Sequence, residues 1–442
     1  MSIWIETKLK ESEIGKIPLD WSCTTLNKIA DINPKPIKLD SDDIEVSFVG
    51  MADVSESAKL MNTTNRLYGE VKKGFTSFQD NDVLVAKITP CFENGKGALV
   101  SNLTNGIGFG STEFHVIRAK EQKGCPEFIH HITTTHNFRV KGEMNMTGTA
   151  GQKRVGKDFI ASYLIACPPF VEQQKIAEVL STVDKKIDLI DQKIAETEKL
   201  KTGLMQKLFS EGVGVQDENG EWQPHTEFQD STIGEIPNNW KIKTLDEISE
   251  VNPKPYKTNN MEMEVSFVGM ADISESAKII RRSKKKYIDV KKGFTSFVEK
   301  DVLVAKITPC FENGKGALAE GLEQGVGFGS TEFHVIRSNA IQTCPEFIYQ
   351  LTISYPFRAK GEMNMTGTAG QKRVSKSFIE KYTIAYPPLH EQRKIAEILN
   401  TVDTKIDLLK QQKVETQQLK KGLMQKLLTG EWRVPVEETE AA

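Results

Sequence analysis

Three short polar stretches of this sequence carry side chains suited to reading a nucleic acid. Lys87, Thr89, Asn94 and Lys96 cluster in the first. Ser111, Thr112 and Glu113 form the second; Asn145, Thr147, Thr149, Gln152, Lys153 and Arg154 form the third. Lysine and arginine neutralise phosphates or grip guanine. Asparagine and glutamine can pair with adenine, glutamate can accept from cytosine, and threonine methyls can touch thymine. Any one of these side chains alone is most often just a solvated surface group. The set recurs, however, as Lys306, Thr308, Asn313, Lys315, Thr331, Glu332, Asn364, Gln371, Lys372 and Arg373. Lys72-Lys73, Lys291-Lys292 and the run Arg281-Arg282-Ser283-Lys284-Lys285-Lys286 would add phosphate contacts.

Catalytic readings find less support. Gly106-x-Gly108-Phe109-Gly110 before a strand reads as a turn, since a lone glycine pattern is weak ground for a nucleotide loop. Cys167-Pro168-Pro169-Phe170 approaches the box of DNA amino-methyltransferases but lacks the polar first residue that holds the target amino group. Glu70-x-Lys72 and Asp289-x-Lys291 have the spacing of a nuclease pair, without a convincing upstream metal-binding acid. His115 and His334 fall on apolar strands and read as structural. The six cysteines form no Cys-x-x-Cys pair, so neither a zinc ribbon nor a disulfide framework is indicated.

The recurrence extends to the whole unit. Trp21 and Trp240, Asn33 and Asn252, Lys87 and Lys306, Gln152 and Gln371, and Gly203 and Gly422 all lie 219 residues apart. Residues 86–99 are identical to 305–318, 108–118 to 327–337, and 141–155 to 360–374. Residues 60–70, 119–124 and 156–166 changed far more. Much of what is retained is polar and loop-like, which packing alone does not require; a recent duplication with patchy exchange is the plainer explanation.

Each unit must position these loops on short strands, such as 46–49, 83–86 and 114–117, separated by Gly- and Asn-rich turns. A short helix is expected over 126–138, and a long one over 172–209. In the long one Ile176, Leu180, Val183, Ile187, Ile190 and Ile194 recur in steps of four and three, the seam of a coiled coil. The pattern reads as slipping near Thr197 and resuming at Leu200, Leu204 and Leu208. At 1.5 Å per residue the rod would be about 57 Å long. Its partner is expected over 391–428, with Ile395, Leu399, Val402, Ile406 and Leu409, and with Lys413 interrupting the stripe. Gly203 and Gly422 imply either a close approach of two helices or a break.

The formal net charge of −2 gives no global sign of nucleic acid, so any basic footprint must be local. No apolar run reaches the ~18 residues a membrane span needs, and residues 1–6 lack a signal-peptide pattern. We expect a cytoplasmic protein, an exposed linker at 211–229 and an acidic disordered tail at 436–442.

On these residues the chain resembles the specificity subunits of type I restriction–modification systems. The resemblance rests on the rod entries Pro168-Pro169-Phe170-Val171-Glu172-Gln173 and Pro387-Pro388-Leu389-His390-Glu391-Gln392. It rests also on the stretch Gly148-Thr149-Ala150-Gly151-Gln152-Lys153-Arg154 and on 46–53 with 87–96. It implies an α+β fold with internal pseudo-two-fold symmetry. Target-recognition domains would occupy 1–170 and 230–389, with antiparallel spacer helices at 171–210 and 390–429, a linker at 211–229 and a tail at 430–442. It further implies a non-catalytic reader of double-stranded DNA that binds two methyltransferase subunits and two restriction–translocase subunits. S-adenosylmethionine, ATP and Mg2+ would then belong to those partners, with no cofactor or metal in this chain. The likeness of the two halves implies a bipartite palindromic site. The alternatives are a DNA-binding adaptor and a stand-alone nuclease or methyltransferase.

Overall fold

β-branched and aromatic runs alternating with glycine turns build the globular part of each unit. The computed structural model describes residues 8–149, 151–368 and 370–435; Ala150, its counterpart Ala369, the first residues of the chain and the acidic tail 436–442 lie outside them. Contacts divide the chain into two units, one of residues up to Gln192 together with those from Gln411 onward, the other of Lys193–Lys410.

The first unit opens with β1 (Ser22–Thr25) and β2 (Ala30–Ile32). There follow β3 (Glu45–Val49), β4 (Thr64–Leu67), β5 (Thr76–Gln79), β6 (Val83–Ala86), β7 (Gly97–Leu99), β8 (Ile107–Gly110) and β9 (Phe114–Ala119). They form two four-stranded sheets, ordered β4-β3-β8-β5 and β2-β9-β6-β7, with β3 and β8 parallel and the other neighbours antiparallel. The period of two along β6 serves two cores at once: Leu84 joins Phe78, Phe114 and Val116, while Val83 and Val85 face Phe128, Ile129 and Ile132. Gly108 and Gly110 are strand residues in close packing. A Cβ at Gly108 would lie 2.1 Å from the Phe78 ring, and one at Gly110 2.2 Å from the Val49 carbonyl. That close approach, rather than phosphate binding, accounts for the glycines.

The helix expected over 126–138 is two helices, α1 (Pro126–Thr134) and α2 (His136–Met144). Thr135 is extended between them, and its hydroxyl accepts from Phe138 N, so the chain stops and restarts on an N-cap. A hairpin of β10 (Met146–Thr147) and β11 (Arg154–Val155) follows, and β12 (Leu164–Cys167) pairs with β1 before the chain enters α3 (Phe170–Ser210). The second unit repeats both sheets in the same order, and its long helix is α4 (Leu389–Leu427).

The Pro-Pro-x-x-Glu-Gln entry joins rod to globular part. Gln173 accepts from Cys125 N at 3.0 Å and donates to Lys123 O at 2.9 Å, which fixes the start of α1. Glu172, buried, accepts from Trp21 Nε1 at 3.0 Å and from Arg433, which also forks onto Asp20 at 2.9 and 2.8 Å. Burial works against the Arg433 charge, but the hydrogen bonds to Glu172 and Asp20 outweigh it and raise its pKa. In the second unit Glu391 accepts from Trp240 Nε1 at 2.8 Å and from the backbone of Val213 and Gly214 at 2.9 and 3.0 Å; His225 Nε2 lies at 2.9 Å. The start of the stretch expected as an exposed linker is therefore pinned to a buried carboxylate.

Within each unit the two long helices pack antiparallel. Asp184 pairs with Lys420 and Asp191 with Lys413 in the first, Lys201 with Asp403 and Glu198 with Lys410 in the second, at 2.6–2.8 Å. The expected slip at Thr197 is absent. Thr197 and its twin Thr416 are buried in an unbroken seam, their hydroxyls returned to Lys193 O and Gln412 O at 2.6 and 2.7 Å, and Leu200 is 53% exposed. A threonine that satisfies its own hydroxyl can hold a core position, which an apolar-only pattern overlooks. Gly203 and Gly422 lie inside continuous helix, and a Cβ added at either would meet nothing within 4 Å, so they mark neither a break nor a close approach. No helix among the described residues is long and apolar enough to cross a membrane.

Candidate nucleic-acid interface

Because β3 and β8 are parallel, their C-terminal ends lie side by side, and Ser111 N donates to Val49 O at 3.2 Å. The three polar stretches meet at that end. Lys87 N donates to Glu113 O, Thr89 N to Lys153 O, and Val155 N to Lys87 O, each at 2.9 Å. Arg154 then locks the second stretch to the third, its Nε and Nη2 donating to the Glu113 carboxylate at 2.9–3.2 Å. This hydrogen bonding holds the Glu113 pKa below the usual carboxylate range against the effect of burial. The second unit repeats the joint: Lys306 with Glu332, Thr308 with Lys372, Val374 with Lys306, and Arg373 on Glu332 at 2.9–3.2 Å. Glu332 is likewise lowered by its bond to Arg373.

The candidate residues separate into two sets. Thr89 donates to Glu93 at 2.7 Å, Asn94 to Glu56 at 2.9 Å, Lys96 to Met51 O at 3.0 Å, and Asn145 to Lys141 O at 2.8 Å. Their counterparts Thr308, Asn313, Lys315 and Asn364 are engaged in the same way. Thr112, Gln152 and Lys153 are exposed, and with half-buried Lys87 they make no side-chain hydrogen bond among the described residues. Thr331, Gln371, Lys372 and Lys306 match them. The first set shapes the surface; the second presents open donors, acceptors and charge.

His115 is structural, as its strand position implied. Asn33 Nδ2 lies 3.0 Å from Nδ1 and Val155 O lies 2.9 Å from Nε2, so a neutral ring donating from Nε2 satisfies both, and burial lowers its pKa. Met144 and Met363 escaped the sequence reading. They sit in the identical third stretch yet are 79% and 85% exposed, and retention of an apolar side chain that packs on nothing was the available signal. The edge strand also differs between units in a paired way. In the first, Thr104 donates to Asn65 Oδ1 at 2.8 Å and its N donates to Ser47 Oγ. In the second, Glu323 and Lys284 replace Thr104 and Asn65 and form an ion pair at 2.7 Å. Among the described residues, no group of three or more His, Cys, Asp or Glu side chains is placed to hold a metal ion.

The family described as "Type I restriction modification DNA specificity domain" matches residues 18–199 and 237–418. The chain is similar to the EcoEI specificity subunit of Escherichia coli, 40% identical over 201 residues, which is 45% of this chain and 34% of that protein. It is similarly related to the EcoAI specificity subunit, 40% identical over 195 residues, 44% of this chain and 33% of that protein. The matched region thus spans about a third of these two relatives' length. The similarity to a MjaX specificity subunit of Methanocaldococcus jannaschii, 24% identical, covers 98% of this chain and 99% of that one. A type I restriction–modification S subunit from M. genitalium shares the fold with a TM-score of 0.53 at 14% identity, over 96% of this chain and 99% of the other. A chain from a type I restriction–modification assembly does so with a TM-score of 0.54 at 17% identity, over 94% and 99%.

Proposed function

Since the chain belongs to the type I restriction–modification DNA specificity family, we propose that it is the sequence-reading, non-catalytic subunit of such a complex. One observation supports this above the others: three polar stretches, far apart in sequence, converge at one end of a sheet, and the same convergence occurs in both units. In this reading Gln152, Lys153, Thr112 and Lys87 face the DNA, with Gln371, Lys372, Thr331 and Lys306 as their counterparts. Glu113 and Arg154 hold the loops in register. Two methyltransferase subunits supply S-adenosylmethionine and the adenine-N6 chemistry, and restriction–translocase subunits supply ATP-driven cleavage with Mg2+.

The identical loops and the antiparallel helices together favour two like half-sites on opposite strands, a bipartite palindrome with an unread spacer. Mapping N6-methyladenine in cells that express the chain with its methyltransferase partner tests this. The expected result is one motif with inverted, matching halves; two unrelated halves would refute the palindrome. The purified chain alone should neither methylate nor cut DNA.

A further inference from the structure

Beside the reading loops, each unit carries a second surface of different chemistry. Residues 71–78 and 290–297 are identical, Val-Lys-Lys-Gly-Phe-Thr-Ser-Phe, although 60–70 and 279–289 just before them diverged. Val71 and Phe78 are buried, which accounts for their retention; Lys72, Lys73, Gly74 and Phe75 are exposed, and burial does not account for theirs. Gly74 and Gly293 hold the turn at φ +80° and +82°, the left-handed region that favours glycine. The turn presents Phe75, 38% exposed, and Phe294, 40% exposed. Each meets an inner ring edge to face: Phe48 at 5.1 Å and Phe267 at 5.0 Å between centroids. A cation from the edge strand caps that inner ring, Arg66 at 3.9 Å over Phe48 and Lys285 at 3.7 Å over Phe267. Lys72 is held by Asp42 at 2.7 and 2.6 Å, whereas Lys73 and Lys292 make no hydrogen bond or ion pair among the described residues.

Antiparallel pairing of Thr76 with Gly110 sets this turn at the same sheet end as Ser111, Thr112 and Glu113. We propose that it grips the sugar–phosphate backbone of duplex DNA beside the bases read by the loops. Phe75 and Phe294 pack on deoxyribose, and Lys73 and Lys292 each neutralise a phosphate. The change from Arg66 to Lys285 argues for backbone over base: a paired contact to a base edge distinguishes the two side chains, and a point contact to phosphate does not. The proposal rests on the DNA-reading role above and adds where sequence-independent affinity comes from.

The test uses the full chain assembled with its methyltransferase partner, titrated with a cognate and a scrambled duplex across a range of salt. Lys73→Gln with Lys292→Gln should reduce the slope of log affinity against log salt by about 1.8, two phosphates at roughly 0.9 each. Phe75→Ala with Phe294→Ala should weaken both duplexes alike, by about tenfold, and leave the methylated motif unchanged. An unaltered salt slope, or a changed motif in the Phe variant, overturns the proposal. If the alanine variants do not fold, the exposed lysine variants decide it alone. A wild-type complex that fails to discriminate the two duplexes instead removes the reading role itself; discrimination with silent turn variants removes only this contact.

Discussion

Arg154 and Glu113 came out of one polar set with Gln152 and Lys153, yet the geometry gives the pairs different work. Both oxygens of Glu113 are taken by Arg154, while Gln152 and Lys153 have no internal side-chain partner among the described residues. Gln152→Ala with Gln371→Ala should therefore cost base discrimination, about 1–3 kcal/mol per contacted pair, with the salt slope unchanged. Glu113→Gln with Glu332→Gln should lower affinity for cognate and scrambled duplexes together, since it loosens the loop joint. Competition titrations on the assembled complex separate the two outcomes. The sequence showed which residues were retained but could not divide them, because the partner of each side chain depends on loops that meet only after folding. A second single-residue effect concerns acid. His131 is buried, 3.4 Å from Ser181 Oγ and near Lys420, itself paired to Asp184; burial pushes its pKa down to about 3, with Lys420 adding to the shift. A histidine lowered on folding stabilises fully above its unfolded pKa and loses that contribution as pH falls from about 6.5 toward the folded value, at about 1.4 kcal/mol per unit. His131→Gln, the residue at position 350 of the second unit, should flatten denaturant-measured stability over that window.

Among the elements, the long helices were the most legible and also the site of an error. The four-three spacing of Ile176 through Ile194 was enough to anticipate a paired rod, because burial on a helix repeats at fixed intervals whatever the partner. The pattern was lost at Thr197, since a self-satisfied threonine in a seam leaves no apolar mark. The strands were recognised by type, but their order was not, because β3 and β8 become neighbours across more than fifty residues of chain. The closing contacts were also out of reach of local pattern: Glu172 is met by Arg433 and Glu391 by Val213, Gly214 and His225. Arg433→Ala leaves a buried carboxylate with Trp21 as its remaining named donor and should cost about 3 kcal/mol. Because Arg433 belongs to the first unit, that unit should melt early and turn a single calorimetric transition into two.

For the molecule as a whole, duplication explains how one sheet end came to exist twice, and the exceptions show what constrains it. Asn65 with Thr104 became Lys284 with Glu323, a neutral hydrogen bond exchanged for an ion pair between residues 39 apart in the chain. Genetic traffic between the two halves of the coding sequence is therefore not free to break anywhere. A conversion tract that copied Glu323 onto position 104, but stopped short of position 65, would set a carboxylate beside Asn65 with no lysine to answer it. Alleles drifting toward uniformity should carry both codons across together or neither, so the folded contact leaves its imprint on where recombination joints survive.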